Sequence, residues 1–174
     1  MPHCKTCEPS GESQFYYHAF MNIQAGKILV STEAMEDLNF KKSMILIARH
    51  DGDGTIGFVI NKTFGRNLNE LEEFKQSPPF PLHDGGPVDK EHLYFVHRCN
   101  TLIPNGSLIS NDVFFGGEFS QAVLQINKGN LDTADIKIFV GYCGWDSNEL
   151  ESEILEGSWK LTEENNNMVF KMGS

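Results

Sequence analysis

An apolar run that ends in glycines and aromatics, over Val140–Trp145, is the part of this sequence best suited to build a binding site. Gly141 and Gly144 allow tight or positive-φ backbone geometry, so the pattern predicts a strand over 136–142 that ends in a turn. The N–H groups of such a turn can face a ligand, and the Trp145 indole lies beside them. The segment could therefore hold a ligand or a neighbouring loop.

A second glycine turn, Gly85-Gly86-Pro87, could complete such a site. Pro87 fixes φ, and the two glycines permit a close backbone approach. The commoner role of glycine turns is packing, and this turn would then lie against Tyr142–Trp145. Alternatively, the Gly85–Val88 and Tyr142–Trp145 turns line one cleft. The candidate ligand-binding residues of that cleft are His50, Asn61, Gly85, Gly86, Pro87, Tyr142, Gly144, Trp145 and Glu149.

Patterns for other chemistries are incomplete in this sequence. Cys4 and Cys7 have the spacing of half a zinc site, but no second close pair accompanies them. His50 and His97 lie at the ends of predicted strands, where a histidine is more often structural than catalytic. No glycine-rich phosphate loop and no nucleophile motif is present. The sequence therefore predicts no metal, no cofactor and no assignable catalytic residue.

Composition narrows the class of protein. The chain has 174 residues, 40% of them hydrophobic, which fits one soluble domain with a substantial core. Its formal net charge of -10 disfavours direct binding of nucleic acid, because phosphate backbones are repelled. No apolar run is long enough to span a membrane, and the N-terminus lacks the apolar region of a secretory signal. We therefore expect a cytoplasmic protein.

Hydrophobic periodicity predicts more strands than helices, which favours an α+β fold. Turn residues at 51–55 predict a β-hairpin between the two strongest strands. Residues 1–14 have no periodicity and are expected to form a mobile tail, with 15–174 as a single domain. The predicted strands are 27–31, 43–50, 56–62, 92–98, 106–110 and 136–142, with weak ones around Trp159 and Val169. The predicted helices are 68–74, 119–128 and 147–156, and 77–81 is expected to be a stiff loop.

These segments, in this order, resemble the YqgE/AlgH family of bacterial proteins. The resemblance covers roughly residues 26–162 and departs from the family at Thr63 and Glu149, where proline and glutamine are usual. It implies a compact α+β fold with a mixed, partly barrel-like sheet and a few flanking helices. No catalytic residues come with it. The pieces that carry it are Gly26–Val30, Met35–Asp37, His50, Gly57–Asn61, Gly85–Val88, Ile109–Asp112, Tyr142–Trp145 and Trp159.

Three functions are compatible with these observations. The leading interpretation is a regulatory domain that binds a small molecule or a protein and catalyses nothing. The first alternative is an enzyme with its site in the cleft described above, where Asn61, His50 or Glu149 would supply polar groups. The second is a transcriptional regulator that acts indirectly, since one name in the family carries a regulator label. The sequence leaves the oligomeric state open.

Overall fold

A computed structural model describes residues 22–162 and 166–171, which form one sheet of ten strands with three α-helices. The strands are β1 (Ile28–Ser31), β2 (Met44–Asp51), β3 (Gly54–Val59), β4 (Thr63–Asn67), β5 (Pro81–Asp84), β6 (Val88–His97), β7 (Ser107–Ser110), β8 (Val113–Phe115), β9 (Ile136–Asp146) and β10 (Trp159–Thr162). The helices are α1 (Phe119–Asn127), α2 (Glu149–Leu155) and α3 (Asn166–Lys171), with two 3-10 helices at Leu68–Glu70 and Glu72–Phe74. The predicted tail over 1–14 lies outside the described residues.

The sheet is mixed and open, and β9 is its central strand. Its main strand order is β10-β1-β2-β3-β9-β6-β8-β7, and the pairs along it are antiparallel. Strand β5 pairs in parallel with β9 and antiparallel with β4, which makes the sheet mixed. The order ends at β10 and β7, so the sheet does not close into a barrel. The prediction of an α+β fold with a mixed sheet is confirmed.

Strand β9 contributes side chains to each of three apolar clusters. Ile136, Ile138 and Val140 alternate along the strand and share one cluster, as the period of two in a strand requires. Gly141 then interrupts this alternation, because its φ of 73° turns the following residues over. Tyr142 therefore packs with Phe139 in a second cluster, although it lies two residues after Val140. Cys143 and Trp145 belong to the third cluster, together with Leu150 and Ile154 of α2.

Several predicted elements are confirmed. The hairpin forms between β2 and β3, with Asp51 opposite Gly54. Helix α1 lies where the apolar periodicity places it, and Gly129 follows it with a φ of 74°, the left-handed geometry of a helix C-terminus.

Other predictions were wrong, for identifiable reasons. The helix predicted at 68–74 is two 3-10 helices, separated at Leu71, whose ψ of 137° is extended. The loop predicted at 77–81 ends in β5, since Pro81 can begin a strand. Val169 lies in α3 and not in a strand. Helix α2 begins at Glu149, two residues later than expected, because Asn148 takes a left-handed φ of 67°.

Candidate functional site

Trp145 is a core residue of the sheet. The predicted turn at Tyr142–Trp145 was wrong, because β9 continues through it to Asp146, and Trp145 pairs with Thr55 of β3. The indole is buried, with 7% of its surface exposed, as expected for a packed aromatic. Its ring meets the ring of Trp159 edge to face at 6.2 Å between centroids.

Glu153 joins these two indoles to helix α2. Its Oε2 atom accepts hydrogen bonds from Nε1 of Trp145 at 2.9 Å and from Nε1 of Trp159 at 2.8 Å. One carboxylate thus satisfies both buried donors, which would otherwise cost free energy. Acidic residues of a surface helix usually form a solvated face, and the spacing of Glu153 from the two tryptophans in the sequence gave no indication of this contact.

The glycine turn after β5 packs against the backbone of β9. Gly85 donates its N–H to the Val140 carbonyl at 3.0 Å and accepts from the Val59 N–H at 2.9 Å. A Cβ atom at Gly86 would lie 2.2 Å from the carbonyl carbon of Tyr142. No side chain fits at that distance, so glycine is required there.

The candidate cleft residues near the two glycine segments line separate depressions. Gly86 and Pro87 border a small pocket of about 60 Å³ together with Lys62. Tyr142, Gly144 and Trp145 border another, of about 310 Å³, on the β3–β9 surface, and of the Gly85–Val88 segment only Val88 reaches it. The packing interpretation accounts for this geometry, because the turn and the strand fill the space between them. A ligand-binding role for these residues remains a prediction.

The three polar candidates form local contacts at other places. The Nδ1 atom of His50 is 2.7 Å from the Thr55 hydroxyl, and its Nε2 atom is 3.7 Å from a Glu151 carboxylate oxygen. Asn61 fastens the loop before β2, since its side chain accepts from the Met44 N–H at 2.9 Å and donates to the Lys42 carbonyl at 2.8 Å. Glu149 accepts the Asp146 N–H at 2.7 Å, which ties the first residue of α2 to the end of β9.

A groove of about 610 Å³, which the sequence did not indicate, lies at another place on the sheet. We call it the aromatic groove. Apolar side chains from β4, β6, β9, α1 and the 3-10 region over 68–74, most of them half-buried, form its floor, and charged side chains form its rim. The floor contains Phe64, Leu71, Phe74, Leu93, Phe119 and Val140, and the rim contains Arg66, Glu72, Glu73, Lys90, Glu91 and His92.

Two irregular strands create this groove. Between its pairs with β9, Val88–Tyr142 and Leu93–Val140, strand β6 has four residues where β9 has only Gly141. Strand β4 likewise has three residues where its partner β5 has one. The extra residues leave the ladder and direct their side chains over the groove, as bulges beside binding sites do. The hydrophobic periodicity of the sequence does not reveal these extra residues.

Ion pairs fix the rim on the β6 side. The Lys90 ammonium lies 2.6 Å from the Asp84 carboxylate and 6.0 Å from the centroid of the Phe64 ring. Asp89 has a left-handed φ of 52°, and its carboxylate contacts Nδ1 of His92 at 2.7 Å and the Tyr94 hydroxyl. The hydrogen bond from Tyr94, followed by that from His92, lowers the pKa of Asp89. The hydrogen bond to Asp89 raises the pKa of His92.

A second pair of titratable groups is buried between β5, β9 and α3. Nζ of Lys137 donates to the Ile60 carbonyl at 2.7 Å and to the Val169 carbonyl at 2.9 Å, which ties α3 to the sheet. Burial lowers the pKa of Lys137 to about 8. His83 is also buried, and its Nδ1 atom has no hydrogen-bond partner within the described part of the chain. Burial, with the charge of Lys137, lowers the pKa of His83 to about 4.

Because the pKa of His83 is lowered in the folded protein, we expect the protein to lose stability on mild acidification. A histidine in an unfolded chain has a pKa near 6.5. Between about pH 6.5 and 4, His83 is therefore protonated in the unfolded chain and neutral in the folded protein. Stability therefore falls as the pH drops through that window, by on the order of 2–3 kcal/mol from this group. Urea denaturation of wild type and His83→Gln between pH 7 and 4 measures the difference.

The variant should show a shallower loss, and part of the slope should remain because burial also lowers the pKa of His97. Equal slopes in both proteins would show that His83 does not carry this effect.

Across 22–162 and 166–171, no group of three or more His, Cys, Asp or Glu side chains is arranged to hold a metal ion. Cys4 and Cys7 lie outside those ranges. Within the same ranges, no helix combines the length and apolar character that crossing a membrane requires.

Solved structures of two bacterial proteins share this fold. The solution structure of the AlgH protein from Pseudomonas aeruginosa matches with a TM-score of 0.70, covering 84% of this chain and 80% of that one at 24% identity. The crystal structure of a Corynebacterium diphtheriae protein, DIP2367, matches with a TM-score of 0.71, covering 86% and 81% at 21% identity. At these identities the likeness concerns the fold alone.

Sequence relatives are found among bacterial UPF0301 proteins. One from Chlorobaculum parvum is 32% identical over 151 residues, which is 87% of this chain and 81% of the relative. One from Bacteroides fragilis is 35% identical over 142 residues, or 81% and 72% of the two chains. The family model described as AlgH-like matches residues 28–174. On that coverage, and with the fold in agreement, the chain belongs to the AlgH-like family.

Proposed function

We propose that this protein is a regulatory, ligand-binding or partner-binding domain, and that the aromatic groove is where the ligand or partner binds. One observation carries the proposal: half-buried apolar side chains from four separate elements converge on a single cavity of about 610 Å³. That volume is within the range of roughly 300–1,000 Å³ typical of ligand pockets. An apolar floor with a fixed charged rim is also the usual composition of such pockets.

The groove is supported from below by rings that cannot easily move. Phe119 meets Phe74 edge to face at 5.7 Å between centroids and packs on Phe95 at 5.3 Å. Phe95 is buried, so it anchors the two half-exposed rings to the core. A floor of this kind is present before the ligand arrives, which reduces the entropy lost on binding.

An enzymatic function is the second candidate, and one contact favours it. The Asp89 carboxylate lies 2.7 Å from Nδ1 of His92, at the groove rim. This contact would orient the imidazole and leave its Nε2 atom to act as a base. General-base catalysis uses such oriented imidazoles. Neither Asp89 nor His92 is among the candidate residues of the cleft predicted from the sequence. A domain that only binds a ligand needs no such base, so the pair distinguishes the two functions.

Regulation would then operate through a small molecule or a protein, in the cytoplasm, and any effect on transcription would be indirect. The net charge of -10 supports this, because it opposes contact with a phosphate backbone. The smaller depression beside Tyr142 and Gly144 is a secondary place for such contacts.

Uptake of a neutral apolar dye tests the groove. We expect Nile red to bind the wild-type protein and to bind Leu71→Gln about tenfold more weakly, since roughly 1.4 kcal/mol of apolar contact is lost. Leu108→Gln is the matched control, because Leu108 is 62% exposed on β7, outside the groove. Fluorescence titration gives both affinities, and thermal unfolding confirms that both variants fold. Equal affinity of Leu71→Gln and wild type would reject the groove as the site.

A further inference from the structure

We propose that the occupant of the aromatic groove is a polypeptide segment of a partner protein, with an aliphatic or aromatic anchor flanked by lysines or arginines. The inference rests on the proposed function, because it specifies what the same groove binds. Three observations carry it: the balance of charge on the rim, the net charge of the whole chain, and the distribution of the rim carboxylates over separate elements.

The charge balance at the rim is acidic. The groove rim and the side chains that hold it contain five carboxylates against three full cations and one histidine. Lys90 is held by Asp84, and His92 by Asp89. Lys75 pairs with Glu72 at 2.6 Å. The carboxylates are Glu72, Glu73, Glu91, Asp84 and Asp89, and the cations are Arg66, Lys75 and Lys90.

Two of these carboxylates are available to a ligand. Glu73 and Glu91 are exposed, and within the described residues neither forms an ion pair. Arg66 opposes them in part, although its guanidinium is directed to the Glu70 carbonyl at 3.2 Å. The remaining attraction of the rim is for positive charge.

The rest of the molecule reinforces this attraction. A formal net charge of -10 surrounds the groove with a negative potential, which speeds the approach of a basic partner and repels an acidic one. The floor also accommodates cations, since the Lys90 ammonium already lies 6.0 Å from the centre of the Phe64 ring. An arriving lysine or arginine meets other phenylalanine rings of the same kind.

A polypeptide segment fits this arrangement better than a compact organic cation does. Glu73 lies on a 3-10 helix and Glu91 on the irregular part of β6, so the complementary charges must be spread along the ligand. The apolar floor between them requires an anchor in the middle. Groove-binding peptides have this pattern of an apolar anchor with charges around it.

Three labelled peptides test the inference against the whole chain. Each is a 12-residue fluorescein-labelled peptide with the same leucine and phenylalanine anchors, and with four lysines, four glutamates or four glutamines. Fluorescence anisotropy at low and high salt measures the affinities. We expect the lysine peptide to bind at least about tenfold more tightly than the glutamate and glutamine peptides, and to weaken as salt screens the charges.

A matched pair of double variants locates the binding. The E73Q/E91Q variant removes two charges at the rim, and E33Q/E156Q removes two exposed charges elsewhere, so the net charge is the same in both. We expect about fivefold weaker binding of the lysine peptide by the first variant, or about 1 kcal/mol, and wild-type binding by the second. Equal weakening in both variants would overturn the inference, because a general field would then be responsible.

The inference and the proposed function fail in distinguishable ways. Suppose that Leu71→Gln weakens Nile red binding as expected. If the glutamine or glutamate peptide then binds as tightly as the lysine peptide, or if no peptide binds, the groove remains a site and the basic partner is wrong. If Leu71→Gln leaves Nile red binding unchanged, the groove itself is wrong.

Discussion

Replacement of Trp145 by alanine should lower the free energy of unfolding by about 3–5 kcal/mol, as truncation of a buried aromatic does. The indole is 7% exposed, and its edge-to-face contact with Trp159 would be lost together with its packing on Leu150 and Ile154. The cavity would open between β9 and α2. Urea denaturation of the variant measures the loss.

Two further substitutions separate the contributions to this loss. Trp145→Phe keeps a ring but removes the donor to Glu153, and should cost about 2 kcal/mol, the range for hydrogen bonds to charged groups. Leu155→Ala removes a half-exposed leucine from the same helix and should cost less than about 1 kcal/mol. If Trp145→Ala lost less than about 1 kcal/mol, Trp145 would be a recognition residue and not a core residue.

The parts of the fold that follow from periodicity could be predicted. Strands β2 and β3 are apolar runs on either side of a glycine- and aspartate-rich turn, so their pairing depends on local chemistry alone. Helix α1 repeats apolar residues at helical spacing, and Gly129 follows its C-cap with a left-handed φ. In both cases the residues that decide the structure are neighbours in the sequence.

The candidate site could not be predicted, because distant residues decide it. Gly144 was interpreted as part of a turn, yet pairing with Ile56 keeps the backbone extended there. The aromatic groove depends on extra residues in β4 and β6 that appear only when each strand is aligned with its partner. Glu153 resembles its exposed neighbours until β10 brings Trp159 beside it. Each of these features depends on register, which a single sequence does not reveal.

The second large effect is expected for Gly86→Ala, at about 3 kcal/mol or more. Its φ of 153° is a conformation that side chains rarely adopt, which costs about 1–3 kcal/mol. In addition, the new Cβ atom would lie 2.2 Å from the carbonyl carbon of Tyr142 and 2.6 Å from the Cys143 nitrogen. These are backbone atoms of the central strand, so relief requires the turn to move, at a further cost of about 1–3 kcal/mol.

Two other glycines serve as controls for the two causes of this loss, which are backbone strain and the close contact of the new Cβ atom. Gly129→Ala introduces strain alone, because the φ of Gly129 is 74° and no atom lies within 4 Å of the new Cβ. It should lower the free energy of unfolding by about 1 kcal/mol. Gly52→Ala has neither strain nor a close contact, so it should change stability by less than about 0.5 kcal/mol. A loss for Gly86→Ala no larger than that for Gly129→Ala would contradict the close contact. A larger loss would show that the turn is held against β9 by backbone contact.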